Sequence, residues 1–226
     1  METHEPKPVR QHHVHQRHFD RLVMLSDGVF AIAMTLSAVE LRPQALPGQS
    51  LAQVWARPLL TYFVSFVIIA GVWARHRRAL SHLRRVDTTM SMISLLLLSL
   101  VALMPVVIRV LLEGEATAGS PGMLVYSLSM MANYACLFVG WGYAAFLAGL
   151  APDVPRPRAW SWLLQELFVT VIFAALALYT LQLRVAAALV TLLGVGLRIG
   201  AMRFERASSR LDAVDGHADR QPADGE

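Results

Sequence analysis

The apolar residues of this chain fall in several runs of about 20, and those runs limit what it can fold into. At about 1.5 Å per residue, one such run crosses a bilayer core of roughly 30 Å as a helix. Of the 226 residues, 55% are hydrophobic and 16% charged, whereas soluble domains carry about 25% charged residues. The chain therefore belongs to the membrane class, with most of its length in the bilayer. The single cysteine, Cys136, lies inside an apolar run and has no partner in the chain for a disulfide.

Six spans are expected, at about 20–41, 54–74, 88–112, 123–149, 160–181 and 185–202. Arg42-Pro43 and Pro47-Gly48 close the first, and Arg75-His76-Arg77-Arg78 closes the second. Pro58 is expected in the first turn of span two, where a missing N–H is harmless. Pro105 falls inside span three and should kink it. Trp160 and Trp162 open span five as interfacial anchors. Only Gln182-Leu183-Arg184 separates spans five and six.

Residues 1–19 form a His-rich tail, 20–203 the membrane domain, and 204–226 a charged tail expected to be disordered. Asp20 and Asp27 fit a cleaved signal peptide poorly. His13-Val14-His15 has the donor types for a transition metal, or is simply part of a cationic tail.

The charges set the orientation. With six spans, Lys7, Arg10, Arg17, Arg21, Arg75, Arg77, Arg78, Arg84, Arg85, Arg156, Arg158, Arg198, Arg203, Arg206, Arg210 and Arg220 share one side. The other side has only Arg42, Arg57, Arg109 and Arg184. The positive-inside rule then places both termini in the cytoplasm.

Span one carries Ser26 and Asp27 near its cytoplasmic end and Thr35 and Ser37 further along. An aspartate in a span costs about 2.5–3.5 kcal/mol on insertion scales, so Asp27 must face protein or water. Two arrangements satisfy it: a buried pair with a neighbouring helix, for which Trp73 and His76 on span two are placed, or a hydrated interface. Ile32, Thr35 and Val39 share one helix face at i, i+3 and i+7, a pattern that suits ordinary packing as well as a pore lining. Ser37 and Glu40 lie off that face, and Glu40 either attracts cations at the outer end or snorkels.

The series Arg21-x-x-x-Leu25-Ser26-Asp27, continued by Ala31-Ile32-Ala33-Met34-Thr35-Leu36, resembles the Arg-x-x-x-Phe-Ser-Asp signature of the transmembrane protein 175 family of potassium channels. Trp73-x-x-His76 is similar to that family's second-helix pattern, and Pro105 to the late proline of its third helix. The chain departs from the family at Leu25, at Ser94 where an Asn is common nearby, and at Val106 in place of a Phe. The resemblance is dense over 21–41, thinner over 54–112, and only hydropathic beyond. It implies an all-α membrane protein with N-in/C-in topology, in which the first helices of a homotetramer line the pore. It implies potassium selectivity at an apolar constriction at Ile32, with Thr35 and Val39 on the ion pathway. It also implies a polar network of Arg21, Ser26, Asp27, Trp73 and His76.

No Thr-Val-Gly-Tyr-Gly filter, Gly-rich phosphate loop, zinc-ligand spacing or Gly-x-Ser-x-Gly elbow is present. No enzymatic activity, cofactor, bound metal or nucleic-acid partner is therefore expected, and the multi-pass chain is expected in the cytoplasmic membrane of a prokaryote. The alternative is a small proton-coupled secondary transporter in which Asp27 and His76 titrate, Asp87 being a further candidate for a relay or acid/base site. A membrane enzyme or assembly factor acting through the basic face is a third class.

Overall fold

The computed structural model describes residues 10–39, 41, 48, 50–113 and 120–218, with side-chain surroundings for 17–39, 41, 48, 50–56, 58–112 and 120–204. The His-x-His stretch, Glu40 and Arg42-Pro43 lie outside the described side chains. Among the described residues six long helices follow one another: α1 (Arg10–Val39), α2 (Leu51–Ser81), α3 (Thr88–Glu113), α4 (Pro121–Gly142), α5 (Arg156–Thr180) and α6 (Arg184–Ala218). All six contain a stretch long and apolar enough to cross a membrane. A π-turn, Tyr143–Leu147, extends α4.

Local chemistry fixes the ends. Ser50 caps α2 through a reciprocal pair with Gln53, the Ser-x-x-Gln capping box. That cap starts α2 at Leu51, so Pro58 lies well inside the helix rather than in its first turn. Asp87 caps α3 by accepting the Met90 N–H at 2.8 Å. Ser120 caps α4, with Pro121 just inside. Between α5 and α6 the chain reverses in three residues because Gln182 adopts φ 62°, and Leu183 N–H closes the turn on the Leu178 carbonyl at 3.0 Å.

Three helices outrun their expected spans. α2 continues through Arg75–Arg78 to Ser81, so those arginines sit on a helix surface rather than in a loop. α1 begins at Arg10, and α6 runs to Ala218 where a disordered tail was expected. Arg206-Ala207 and Ser209–Val214 contain no proline or glycine to stop the helix, and Arg, Leu and Ala favour it.

α1 packs on α2 and α3, α3 on α4, α4 on α5, and α5 on α6, whereas α2 and α5 are not among the closely packed pairs. One core joins Phe30, Ile69, Val101, Met104 and Tyr134 of the first four helices. A second, around Leu22, Leu80, Met90, Trp141 and Leu163, lies toward the end where α1 starts and α2 finishes. Large apolar side chains such as Leu60, Phe63, Val67, Leu189 and Leu192 remain on the outside, as lipid or neighbouring spans require.

Candidate functional site

The second core lies at the basic end of the bundle, and there α1 meets α2 through polar groups. Ser26 is buried and donates its hydroxyl proton to the Leu22 carbonyl at 2.8 Å. His76, also buried, places Nε2 3.2 Å from Ser26 Oγ. A serine hydroxyl has one proton. With that proton given to Leu22, Ser26 Oγ is left as the acceptor for an Nε2–H of the imidazole. Phe30 covers the ring, the two centroids 5.9 Å apart.

Asp27 is exposed on the protomer, and its Oδ1 accepts the Trp73 indole N–H at 2.8 Å. The Arg77 guanidinium lies over the face of the same indole, 5.1 Å from its centroid, within cation–π range. Both span-two residues singled out from the sequence therefore reach α1, but by different routes: Trp73 holds Asp27 and His76 holds Ser26. Asp87 joins neither. It receives the Tyr143 hydroxyl and caps α3. Arg21 is exposed, outside these contacts.

Further along α1, Ile32 is 64% and Val39 72% exposed, and Thr35 is exposed between them. Arg21, Gly28, Ile32, Thr35 and Val39 form one open stripe along the helix. Phe30, Ala33 and Ser37 face the core instead, Ser37 bonding back to the Ala33 carbonyl. The Thr35 hydroxyl lies 3.0 Å from both the Ala31 and Ile32 carbonyls. Its one proton serves a carbonyl of its own helix, and the side chain itself lies on the exposed side.

The sequence reading missed one cluster. Glu166 on α5 is buried, with 4% of its surface exposed, and one Arg75 nitrogen lies 2.9 Å from both its carboxylate oxygens. Arg78 reaches the same carboxylate at 3.4 Å. Arg75 also lies over Tyr134, and Arg78 over Trp162. Trp162 thus turns inward, while Trp160 stays on the surface. The signal was available: a glutamate inside an apolar span needs a cation, and the basic run on α2 supplies two.

Two loops close this end. Arg84 pairs with Asp153, and the Arg84 N–H reaches the Leu150 carbonyl at 3.0 Å. The hydrogen bond and the charge of Arg84 hold the Asp153 carboxyl below its usual range. Burial pushes Asp87 up, but the Tyr143 hydroxyl, the Met90 N–H and the Arg85 charge outweigh it and leave its carboxyl lowered.

Together these features define a six-span α-helical membrane protein with a polar knot binding its first two helices and an open stripe on the first. Residues 21–105 match the family model described as endosomal/lysosomal potassium channel TMEM175. A protein of Streptomyces collinus named as a potassium channel is 34% identical over 147 residues, 62% of this chain and 71% of that protein. The crystal structure of a variant of the potassium channel MtTMEM175, in complex with a nanobody fusion, superposes with a TM-score of 0.56 at 17% identity. That match covers 85% of this chain and 93% of the other, and it bears on the fold. The chain belongs to the TMEM175 family of potassium channels.

Proposed function

We propose that this chain is a potassium-selective channel of a prokaryotic cell membrane, in which four copies set their α1 helices around a common axis. The carrying observation is the open stripe of Ile32, Thr35 and Val39, part of a half-circumference of α1 left exposed on the protomer while Ser26, Phe30, Ala33 and Ser37 face the core. In the bilayer such a stripe meets either lipid or the α1 helices of other copies, and membership of a potassium-channel family supports the second. Around a symmetry axis, Ile32 forms a narrow apolar ring, and such constrictions gate by dewetting. Thr35 offers oxygen lone pairs to a partly dehydrated cation one turn away. Potassium is less costly to strip of water than sodium, which sets the direction of the preference. The charge distribution supports cytoplasmic termini, and the pathway needs no cofactor beyond the permeant ion. The Ser26–His76 and Asp27–Trp73 bonds hold α1 against α2, so the ring sits on a fixed support.

The test is purified protein in planar bilayers under a potassium gradient. Unitary currents reversing near the potassium equilibrium potential are expected. Silent bilayers in the presence of assembled protein, or flux that runs only with a counter-moving proton, would overturn this reading in favour of a transporter.

A further inference from the structure

The residues from Trp73 to Arg78 occupy about one and a half turns of α2 yet bond in two directions. Trp73 and His76 face α1, where they hold Asp27 and Ser26. Arg75 and Arg78 face α5, where they hold Glu166. At about 100° per residue, the mean directions of the two pairs lie roughly 160–200° apart, on opposite sides of one rigid helix. The α2–α5 link is made by side chains, since those helices are not among the closely packed pairs. It closes over a cavity of about 10 Å³ bordered by Arg75, Arg78, Trp141, Trp162 and Glu166, a volume on the scale of one water.

We infer that Glu166 is a positioning residue for the ion pathway: through Arg75 and Arg78 it sets the rotation of the α2 turn that carries Trp73 and His76 against α1. The inference rests on the channel reading. A carboxylate this buried is held only by its cations. Weakening its charge releases both arginines and frees the turn. Trp73 then loses its alignment on Asp27, and α1 loses one of two polar fixings beside the open stripe. Asp27 and Glu166 share no contact, so the coupling is mechanical, carried by the stiffness of one helical turn. α4–α6, which supply none of the pore-stripe residues, thereby gain a lever on the helix that does.

The experiment compares E166Q, E166D, W73F and the double variant E166Q/W73F in assembled protein, with conductance and the Trp73 indole N–H resonance as readouts. The Trp73 signal is assigned from its loss in W73F. E166Q should lower potassium flux per assembled channel by about threefold or more. E166D, which keeps the charge, should restore most of it. The double variant should fall clearly short of the product of the two single effects, because both changes act on the Trp73–Asp27 bond. The Trp73 resonance should move in E166Q. Where E166Q does not assemble, R78Q, which keeps the Arg75–Glu166 pair and removes the longer contact together with the Arg78–Trp162 stacking, should shift both readouts less but in the same direction. Wild-type flux and an unmoved Trp73 signal in a thermally weakened E166Q would reduce Glu166 to a structural charge and overturn the inference. Effects that multiply in E166Q/W73F would overturn it as well. If the wild type itself carries no potassium current, the channel reading fails, and the Trp73 resonance still decides whether Glu166 positions the turn.

Discussion

Replacing Ser26 by Ala removes the acceptor of a buried imidazole N–H while deleting a single oxygen. Ser26 is 2% and His76 3% exposed, so water does not readily take the place of the lost partner. An unpaired buried donor costs about 1–3 kcal/mol in a soluble core. Between membrane helices the measured values are lower, about 0.6 kcal/mol on average and about 1.7 at most, because the dissociated helices still find partners. Near-complete burial raises the cost within that range, whereas the 3.2 Å separation, at the long end for an N–H···O bond, keeps it from the top. The Leu22 carbonyl keeps its helix bond, so only the interhelical term is lost. His76→Leu should cost a similar amount, and the double variant S26A/H76L should be less destabilised than the sum of the two, by about 0.5–1.7 kcal/mol. Reversible unfolding by SDS titration in mixed micelles, followed by far-ultraviolet circular dichroism, measures all three. Ser37→Ala is the control. That hydroxyl is equally buried but bonds only to its own helix, so its loss should cost under about 0.5 kcal/mol. Additivity of S26A and H76L within about 0.3 kcal/mol would show that the two side chains do not bond, and the Nε2–H donor role derived from their geometry would fall with it.

Gly122 lies where α4 crosses the end of α3, and a Cβ there would meet the Val110 carbonyl oxygen at 2.8 Å. Because the obstacle is backbone, Gly122→Ala should destabilise the fold by about 1–3 kcal/mol, whereas Gly71→Ala, which meets nothing, should be neutral or slightly stabilising in the same titration. Asp87→Ala should cost about 0.5–2 kcal/mol through the lost α3 cap. The Asp87 carboxyl is lowered in the fold, so its contribution is complete above the ordinary aspartate value and is lost as pH falls through the lowered one. The stability difference between wild type and Asp87→Asn should then be flat from about pH 5 to 8 and shrink only below about pH 4; a change centred near neutrality would contradict that assignment.

The number of helices was legible because each apolar run is long and bounded by proline, glycine or arginine. Their ends were less so. The start of α2 is set by Ser50 and Gln53 acting together, a pair that hydropathy ignores. The extensions at Arg10 and Ala218 depend on helix propensity in polar sequence, where no apolar period marks the boundary. At the site, Ser26 and Asp27 stand out because a polar pair in an apolar span needs partners. Trp73 and His76 were recognisable by their place on the adjacent helix together with the family resemblance of Trp73-x-x-His76, since a histidine in a basic run reads by itself as a solvated residue. Which of them takes Asp27 was not, since residues three apart face the same neighbour and a small rotation of α2 exchanges their reach. Glu166 went unread because its partners are about 90 residues earlier, in a run that looks like an ordinary solvated helix end. No local pattern links them; only the packing of α4 between α2 and α5 brings them together.

The central claim is that α1 lines the ion pathway and Ile32 forms its narrowest ring. The most direct measurement is the conductance and reversal potential of Ile32 variants in planar bilayers, taken only on protein that assembles as the wild type does. Ile32 is 64% exposed in the protomer, so its replacement leaves the fold of each chain largely undisturbed. Ile32→Asn should raise cation conductance by keeping the ring wet, and Ile32→Phe should lower it by narrowing the ring. Thr35→Ala should mainly reduce the preference for potassium over sodium, and Val39→Ala should change little. If Ile32→Asn and Ile32→Phe both conduct as the wild type does, the open stripe of α1 faces lipid or a neighbouring chain, and the pore lies elsewhere.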